Sequence, residues 1–299
     1  MNERIFLENL KDVPFIFEAQ LSFFTTYHVG GEAEVLALPE NEMQIQHLIA
    51  FAKKYRQPFR ILGLGSNILV SDMGLRGITC CLKNFKNIKI DGNIVTASAG
   101  TPLDEVVRAS INAGLGGLEN LSGIPGSVGG AVFMNAGAFK AETFDKLISF
   151  KVLNKKGEIK ELKKEEVKYE YRKVWDLEDL VILSASWALE KADKAVLIER
   201  RNEILKARAD KQPLEYPSAG SVFKRPVGAY ASKLIDDCGL RGLTVGGAQV
   251  SVKHAGFIIN YENATAQDIY NLIKEVQKIV KQKTGFKLEP EQIIWGKFE

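Results

Sequence analysis

Glycine sets the first limit on what this chain can fold into. Between Gly114 and Gly130 seven of seventeen residues are glycine, in Gly114-Leu115-Gly116-Gly117 and again in Gly123-Ile124-Pro125-Gly126-Ser127-Val128-Gly129-Gly130. Each glycine loses more backbone entropy on folding than any other residue, so a folded chain keeps such a density where main chain must lie close against something flat or anionic. The flanking Ile124, Val128, Val132 and Phe133 are apolar, which argues against a mobile surface loop. Ser127 adds a hydroxyl donor. We therefore expect Gly123, Pro125, Gly126, Ser127, Gly129 and Gly130 to form a Gly/Ser loop that wraps a ligand.

A second glycine turn, Gly63-Leu64-Gly65-Ser66-Asn67, follows a short apolar stretch, Phe59–Leu62, that reads as a strand. Its two glycines let backbone N–H groups approach a phosphate, and Ser66 and Asn67 offer further donors. A plain tight turn is the competing reading. The dinucleotide fingerprint G-x-G-x-x-G is excluded because Ile68 holds the last glycine position. Two separated Gly/Ser segments suit one extended diphosphate ligand better than either suits alone.

With 299 residues the chain exceeds what one core usually organises, so two or three domains are expected. A net charge of +3 carries no basic excess of the kind nucleic-acid binders show, so any anion site is local. Cys80, Cys81 and Cys238 are odd in number and lack CxxC spacing, which fits a reducing compartment. The opening MNERIFLENLKDVPF has mixed charge and no apolar core, and nowhere do eighteen apolar residues run together. The expectation is a cytoplasmic, unanchored protein that contacts neither nucleic acid nor membrane.

Punctuation by Gly, Pro and charge divides the chain at about residues 1–82, 83–205 and 206–299. The first part holds a helical segment after Pro39 (Met43, Leu48, Ile49, Ala52) and the strand before Gly63. The second opens with the alternating Ile88, Ile90, Ile94 and Val95, then a helix with Thr101 as N-cap, Pro102 at its first position and Gly114 past its end. Strands at Ile148–Leu153, Ile159–Leu162 and Leu180–Leu189 follow, so the class reads as α+β rather than strict βαβ alternation. A charged helix over Lys194–Lys211 leads to Pro213 and Pro217 and the third part. Its last helix starts at Thr265 with Asp268 at N3, carries Ile269, Leu272, Ile273, Val276, Ile279 and Val280 at helical spacing, and stops at Gly285.

In Ser218-Ala219-Gly220-Ser221-Val222-Phe223-Lys224-Arg225-Pro226, Ser221 reads as a hydrogen-bonding acid, a nucleophile or a turn serine capping its own backbone. G-x-S-x-G fails at Phe223, and only His28, His47 and His254 are present to act as a base, which disfavours a serine hydrolase. By pattern alone Arg172 and Glu291 are ordinary surface charges, and His254 an internal hydrogen-bonding histidine. Lys211, Lys224, Arg225, Lys233 and Arg241 form a cationic set that reads either as a phosphate clamp or as a solvated face. Neither HExxH nor a Cys/His cluster supports a metal.

Six ordered blocks across nearly the whole chain resemble the UDP-N-acetylenolpyruvoylglucosamine reductases. They are Thr25-Thr26-Tyr27-His28-Val29-Gly30-Gly31, Gly63-Leu64-Gly65-Ser66-Asn67-Ile68-Leu69, Gly117 to Gly126, Met134-Asn135-Ala136-Gly137-Ala138, Ala219-Gly220-Ser221-Val222-Phe223-Lys224 and Leu288-Glu289-Pro290-Glu291. The short interval from Arg172 to Ser221 resembles the smaller subtype, which lacks an inserted substrate-covering loop with a tyrosine.

The resemblance implies a vanillyl-alcohol-oxidase-type fold, in which two α+β subdomains hold FAD and a C-terminal α+β domain binds the substrate. It also implies NADPH as reductant, a UDP-sugar sharing one cleft with it in turn, and a monomer. It gives Ser221 the proton-donor position, Arg172 the tyrosine–arginine motif and Glu291 the terminal motif. Tyr27, Gly63, Gly65, Ser66, Asn67, Ile68, the 123–130 loop and Asn135 would then contact FAD, and Lys211, Lys224, Arg225 and Arg241 the substrate. The chain departs from the pattern at Val174, where a serine is usual, and at Gln292-Ile293, where Val-Arg is usual. Two other expectations remain open at this level: an oxidase of the same fold acting on another substrate, and a non-catalytic sugar-nucleotide-binding module.

Overall fold

The computed structural model describes residues 3–299. The chain divides into two compact units, one of residues up to 17 with 34–64 and 76–206, the other of residues 18–33, 65–75 and 207–299.

The first unit is built on two sheets. One has four strands in the order Phe15–Gln20, Glu32–Ala37, Leu75–Cys81, Phe59–Leu62, the last two running parallel with Phe59 opposite Ile78 and Leu62 opposite Cys81. The helix Glu42–Lys54 buries Ile45, Leu48, Ile49, Phe51 and Ala52 in the same core, while Met43 is exposed on its outer face. The other sheet is antiparallel, in the order Ile159–Lys163, Leu147–Asn154, Leu180–Ala188, Ile94–Ser98, Ile88–Asp91. Its central strand sets Ala185 between Phe150 and Ala97, so alternate residues face the core. Trp187 is fully buried there, and its indole N–H donates to Thr143 O at 3.1 Å, which satisfies the one polar atom of that ring.

Two local expectations are corrected in this unit. Thr101 does not cap the helix Leu103–Asn112: its hydroxyl exchanges hydrogen bonds with the backbone of Asn87, and Pro102 takes the cap position with no side-chain bond. The orphan N–H of Leu103 donates instead to Gly126 O at 2.9 Å, so the glycine-rich segment supplies the cap from a distance. That segment is also not loop throughout. Ser127 caps a short helix, Val128–Phe133, which contains Gly129 and Gly130, and a Cβ on Gly129 would stand 3.0 Å from Ala99 Cβ. Glycine there lets the helix close on Ala99, whose carbonyl accepts from Gly129 N at 2.8 Å.

The second unit has a three-stranded antiparallel sheet, Thr244–Val245, Ala248–Val250 and Ile258–Asn260. The helix Ala266–Thr284 packs on it through Ile269, Leu272, Ile273, Val276 and Val280, all buried. Its ends follow the sequence: Thr265 and Asp268 form a reciprocal capping box and Gly285 closes it at φ +78°. Asp72 adds to the start, its carboxylate accepting from Ala266 N at 3.0 Å and Gln267 N at 2.9 Å. A parallel pair, Ile68–Val70 with Ile293–Trp295, joins the segment after Gly65 to the chain's last strand. Among the described residues no helix is long and apolar enough to cross a membrane.

Candidate functional site

In the first unit the two glycine-rich segments meet. The strand Phe59–Leu62 delivers Gly63, and a Cβ there would stand 2.4 Å from the Oγ of Ser127. Ser127 is buried, and its Oγ also accepts from Gly130 N at 3.3 Å. The start of the 123–130 segment is fixed by Asp104, which accepts from Gly123 N at 2.8 Å and is gripped by both Arg201 amino groups at 2.6 and 2.7 Å. Burial works against the charged carboxylate, but the Arg201 fork, the Gly123 N–H and the Arg108 charge outweigh it and hold Asp104 below the usual carboxylate range. The segment itself, Ser122 to Gly130, contains no acidic side chain. With no acidic side chain of its own and the hydroxyls of Ser122 and Ser127, the segment has a chemistry that fits the diphosphate of the cofactor the sequence points to.

Arg172 lies in the turn between the paired strands Tyr169–Glu170 and Lys173–Val174, at φ +56°. Non-glycine residues reach that region only where their surroundings over-determine it. Its guanidinium donates to Asn135 O at 3.2 Å and to Gly137 O, lies 3.9 Å from the Glu142 carboxylate and covers the Tyr171 ring at 4.8 Å. Asn135, also at positive φ, is buried with its amide engaged: Nδ2 donates to Glu142 at 2.7 Å and to Glu170 O at 3.2 Å, and Oδ1 accepts from Phe144 N. In this structure Asn135 braces the arginine. Val174, one of the departures, is buried in the unit's core.

In the second unit Ser221 and Glu291 stand on adjacent segments. Residues 221–224 run between two others: Ser221 bridges Phe257, Phe223 bridges Pro290, Val222 N donates to Gly256 O, and Glu291 N donates to Val222 O at 2.8 Å. Ser221 is exposed, and Gly220 before it has φ +73° with open space where a Cβ would point. Asn67 Nδ2 donates to Glu291 O at 3.2 Å, and Asn67 O accepts from Ile293 N at 3.0 Å. Ile68 is buried opposite Ile293. Gly65, at φ +67°, accepts the Thr26 N–H on its carbonyl, and Ser66 beside it is half-buried. Tyr27 is fully buried, its hydroxyl donating to Gln292 Oε1 at 3.1 Å; burial pushes its phenol well above the ordinary value, against that bond.

The cationic set is partly engaged by the protein's own acids. Lys224 is paired with Glu289 at 2.5 Å, and Arg241 holds Asp236 through two nitrogens at 2.6 and 3.0 Å and Val252 O at 2.6 Å. Lys211 is exposed, and Arg225 is exposed over the Tyr230 ring at 4.6 Å. His254 is lowered from the ordinary histidine value, by burial first and by Arg241, and its Nδ1 accepts from Gly256 N. No motif in the sequence marks Asp104 with Arg201 or Glu142, and Gln292 stands out only as a departure from the terminal pattern. Each gains its meaning from a partner distant in the chain.

Comparison with known proteins gives the class first. A family model described as FAD binding domain matches residues 33–163. The protein is a flavin-binding α+β protein, with a vanillyl-alcohol-oxidase-type FAD-binding fold and a C-terminal substrate domain. A second model, UDP-N-acetylenolpyruvoylglucosamine reductase, C-terminal domain, matches residues 212–295. A reductase of that description from Pediococcus pentosaceus is 44% identical over 99% of both chains, and one from Caldanaerobacter subterraneus 41% identical over 97% of this chain and 96% of the relative. The crystal structure of the reductase from Thermus caldophilus superposes with a TM-score of 0.82 at 34% identity, covering 95% of this chain and 99% of that one. The chain belongs to the UDP-N-acetylenolpyruvoylglucosamine reductase family.

Proposed function

We propose that this protein reduces the enolpyruvyl ether of UDP-N-acetyl-3-O-(1-carboxyvinyl)-glucosamine to the lactyl ether of UDP-N-acetylmuramate, with NADPH as reductant, in the cytoplasmic steps of peptidoglycan synthesis. FAD, which Gly63, the 123–130 segment, Ser66 and Asn67 would hold, would supply to the alkene the hydride taken from NADPH. NADPH and the UDP-sugar use one cleft in turn, and the protein acts as a monomer. On this reading residues 1–82 and 83–205 supply the cofactor module and 206–299 the sugar-nucleotide domain, although residues 18–33 and 65–75 pack in the same unit as 207–299.

The observation that carries this reading is the placement of Ser221 and Glu291 on hydrogen-bonded neighbouring segments, joined through Val222 O and Glu291 N. Hydride adds to the alkene carbon distal to the carboxylate, and negative charge develops on the carbon and carboxylate beside it. Ser221 delivers its proton to that carbon. A hydroxyl is a weak acid, but a carbanion-like centre is far more basic, so position matters more than acidity. Arg172 meets the developing charge with a planar, permanently charged fork, held ready by two backbone carbonyls. Glu291 orients the acidic end of the substrate and shares a proton with it. Gly63, the 123–130 segment, Ser66 and Asn67 seat the cofactor, and Lys211 and Arg225 take the diphosphate, joined by Lys224 and Arg241 once these exchange their carboxylate partners.

The test separates the two half-reactions in a stopped-flow instrument. Ser221→Ala holoenzyme should still be bleached by NADPH, while recolouring by the UDP-sugar slows by about 10²–10³-fold. Equal loss in both half-reactions would remove Ser221 from the proton-donor role.

A further inference from the structure

A buried polar chain ties together the two candidate catalytic segments of the second unit. Gln292 follows Glu291 directly and is 4% exposed. Its Nε2 donates to Ala219 O at 3.0 Å, two residues before Ser221, and its Oε1 accepts the Tyr27 hydroxyl at 3.1 Å. Tyr27 is in turn fixed through its own carbonyl, which accepts from Asn260 Nδ2 at 3.0 Å. The amide cannot be flipped without facing oxygen against carbonyl oxygen, so the network sets its orientation. A buried primary amide is costly to desolvate unless its hydrogen bonds are made, and packing alone would be served by an aliphatic side chain. This is also a position where the chain departs from the family's terminal pattern.

We propose that Gln292 is a positioning residue, which fixes the spacing between the Ser221 hydroxyl and the Glu291 carboxyl by tying the Ser221 turn to the residue next to Glu291. The backbone bond from Glu291 N to Val222 O holds the two segments together on the far side of Ser221, and the Gln292 bond holds them on the near side, so the serine is bracketed. Gly220 lies inside the bracket at φ +73°, with no atom within 4 Å of where a Cβ would stand, and has no side chain of its own to steady the turn. Without the Gln292 tie, the carbonyl of Ala219 is left without that donor and the turn is free to rotate about Gly220. The inference rests on the reading that Ser221 donates the proton and Glu291 orients the substrate.

The experiment uses holoenzyme and three variants. Gln292→Leu strands both the Ala219 carbonyl and the Tyr27 hydroxyl, and should lower Tm. Gln292→Leu with Tyr27→Phe removes the stranded hydroxyl and restores an apolar pair, so Tm should recover in large part, while the tie to Ala219 stays broken. In this double variant recolouring by the UDP-sugar should slow about 10–100-fold more than bleaching by NADPH does, the loss expected of a displacement near 1 Å. Recolouring that recovers together with Tm would make Gln292 a packing residue and overturn the inference. Ser221→Ala, run in parallel, keeps the two failures apart. If it recolours at the wild-type rate, the catalytic reading falls; if it does not while the double variant does, that reading stands and the positioning role falls.

Discussion

Replacing Gly63 by alanine tests how the cofactor segment is built. Gly63 has an ordinary negative-side backbone conformation, absent from the positive-φ glycines, so alanine brings no dihedral strain. It brings a collision: the new Cβ would stand 2.4 Å from Ser127 Oγ, with Ser127 Cβ next at 3.5 Å. The cheapest relief is rotation of the Ser127 side chain, which breaks its cap on Gly130 N, about 1 kcal/mol, and drives the side chain toward a poorer rotamer, about 0.5–1.5 kcal/mol. Gly63→Ala should therefore lose about 1.5–2.5 kcal/mol of stability in urea unfolding. It should also weaken FAD by about tenfold in a flavin-fluorescence titration, since a hydrogen bond to a charged group is worth about 1.5–3 kcal/mol. The decisive measurement is the cycle with Ser127→Gly. Glycine is itself a tolerable cap, and it removes the atom that collides, so the double variant should be more stable than additivity allows by about 1 kcal/mol. Additive losses would refute the reasoning, because they would mean that the two residues do not compete for the same space.

Asp104→Asn should cost about 1.5–3 kcal/mol at neutral pH by leaving Arg201 without its carboxylate partner, and should loosen the 123–130 segment through Gly123. Because the folded carboxyl is held below its usual range, its contribution is present above the unfolded value of about 4 and fades as pH falls through the folded one. Urea midpoints of the wild type and Asp104→Asn should therefore converge in acid; parallel curves from neutral to acid pH would contradict the assignment. Thr265→Ala should cost about 1 kcal/mol by breaking one half of the capping box, and Asp268→Ala in that background should add less than it does alone, as read from thermal unfolding.

Local signals were readable wherever the structure used them locally. The charged helix Lys194–Lys211 and the strand Phe59–Leu62 appear with the expected bounds, and the helix Ala266–Thr284 begins and ends on the Thr265 and Gly285 that mark it. What was hidden is the choice among partners. Thr101 has the form of an N-cap, yet Asn87 competes for its hydroxyl and wins, and the helix takes its cap from Gly126. Arg241 reads as a phosphate ligand and is already clasped by Asp236. Asn67, expected at the cofactor, also donates through Nδ2 to the Glu291 carbonyl, a partner 224 residues away. No periodicity or spacing encodes such pairings, because they arise only when segments distant in the chain are stacked side by side.

Two glycines show why the same letter carries two physical demands. At Gly63 the conformation is open to any residue and the space is not: the approach of Ser127 alone requires a missing Cβ. At Gly220 the space is empty and the conformation is closed: φ +73° alone favours glycine, at a cost of about 1 kcal/mol for alanine. The first glycine keeps the proposed cofactor segment tight by distance, and the second sets the turn before Ser221 by dihedral angle. Glycine density therefore marks the segments proposed to work in this chain, but it is the nearest atom at each position that says which demand glycine meets there.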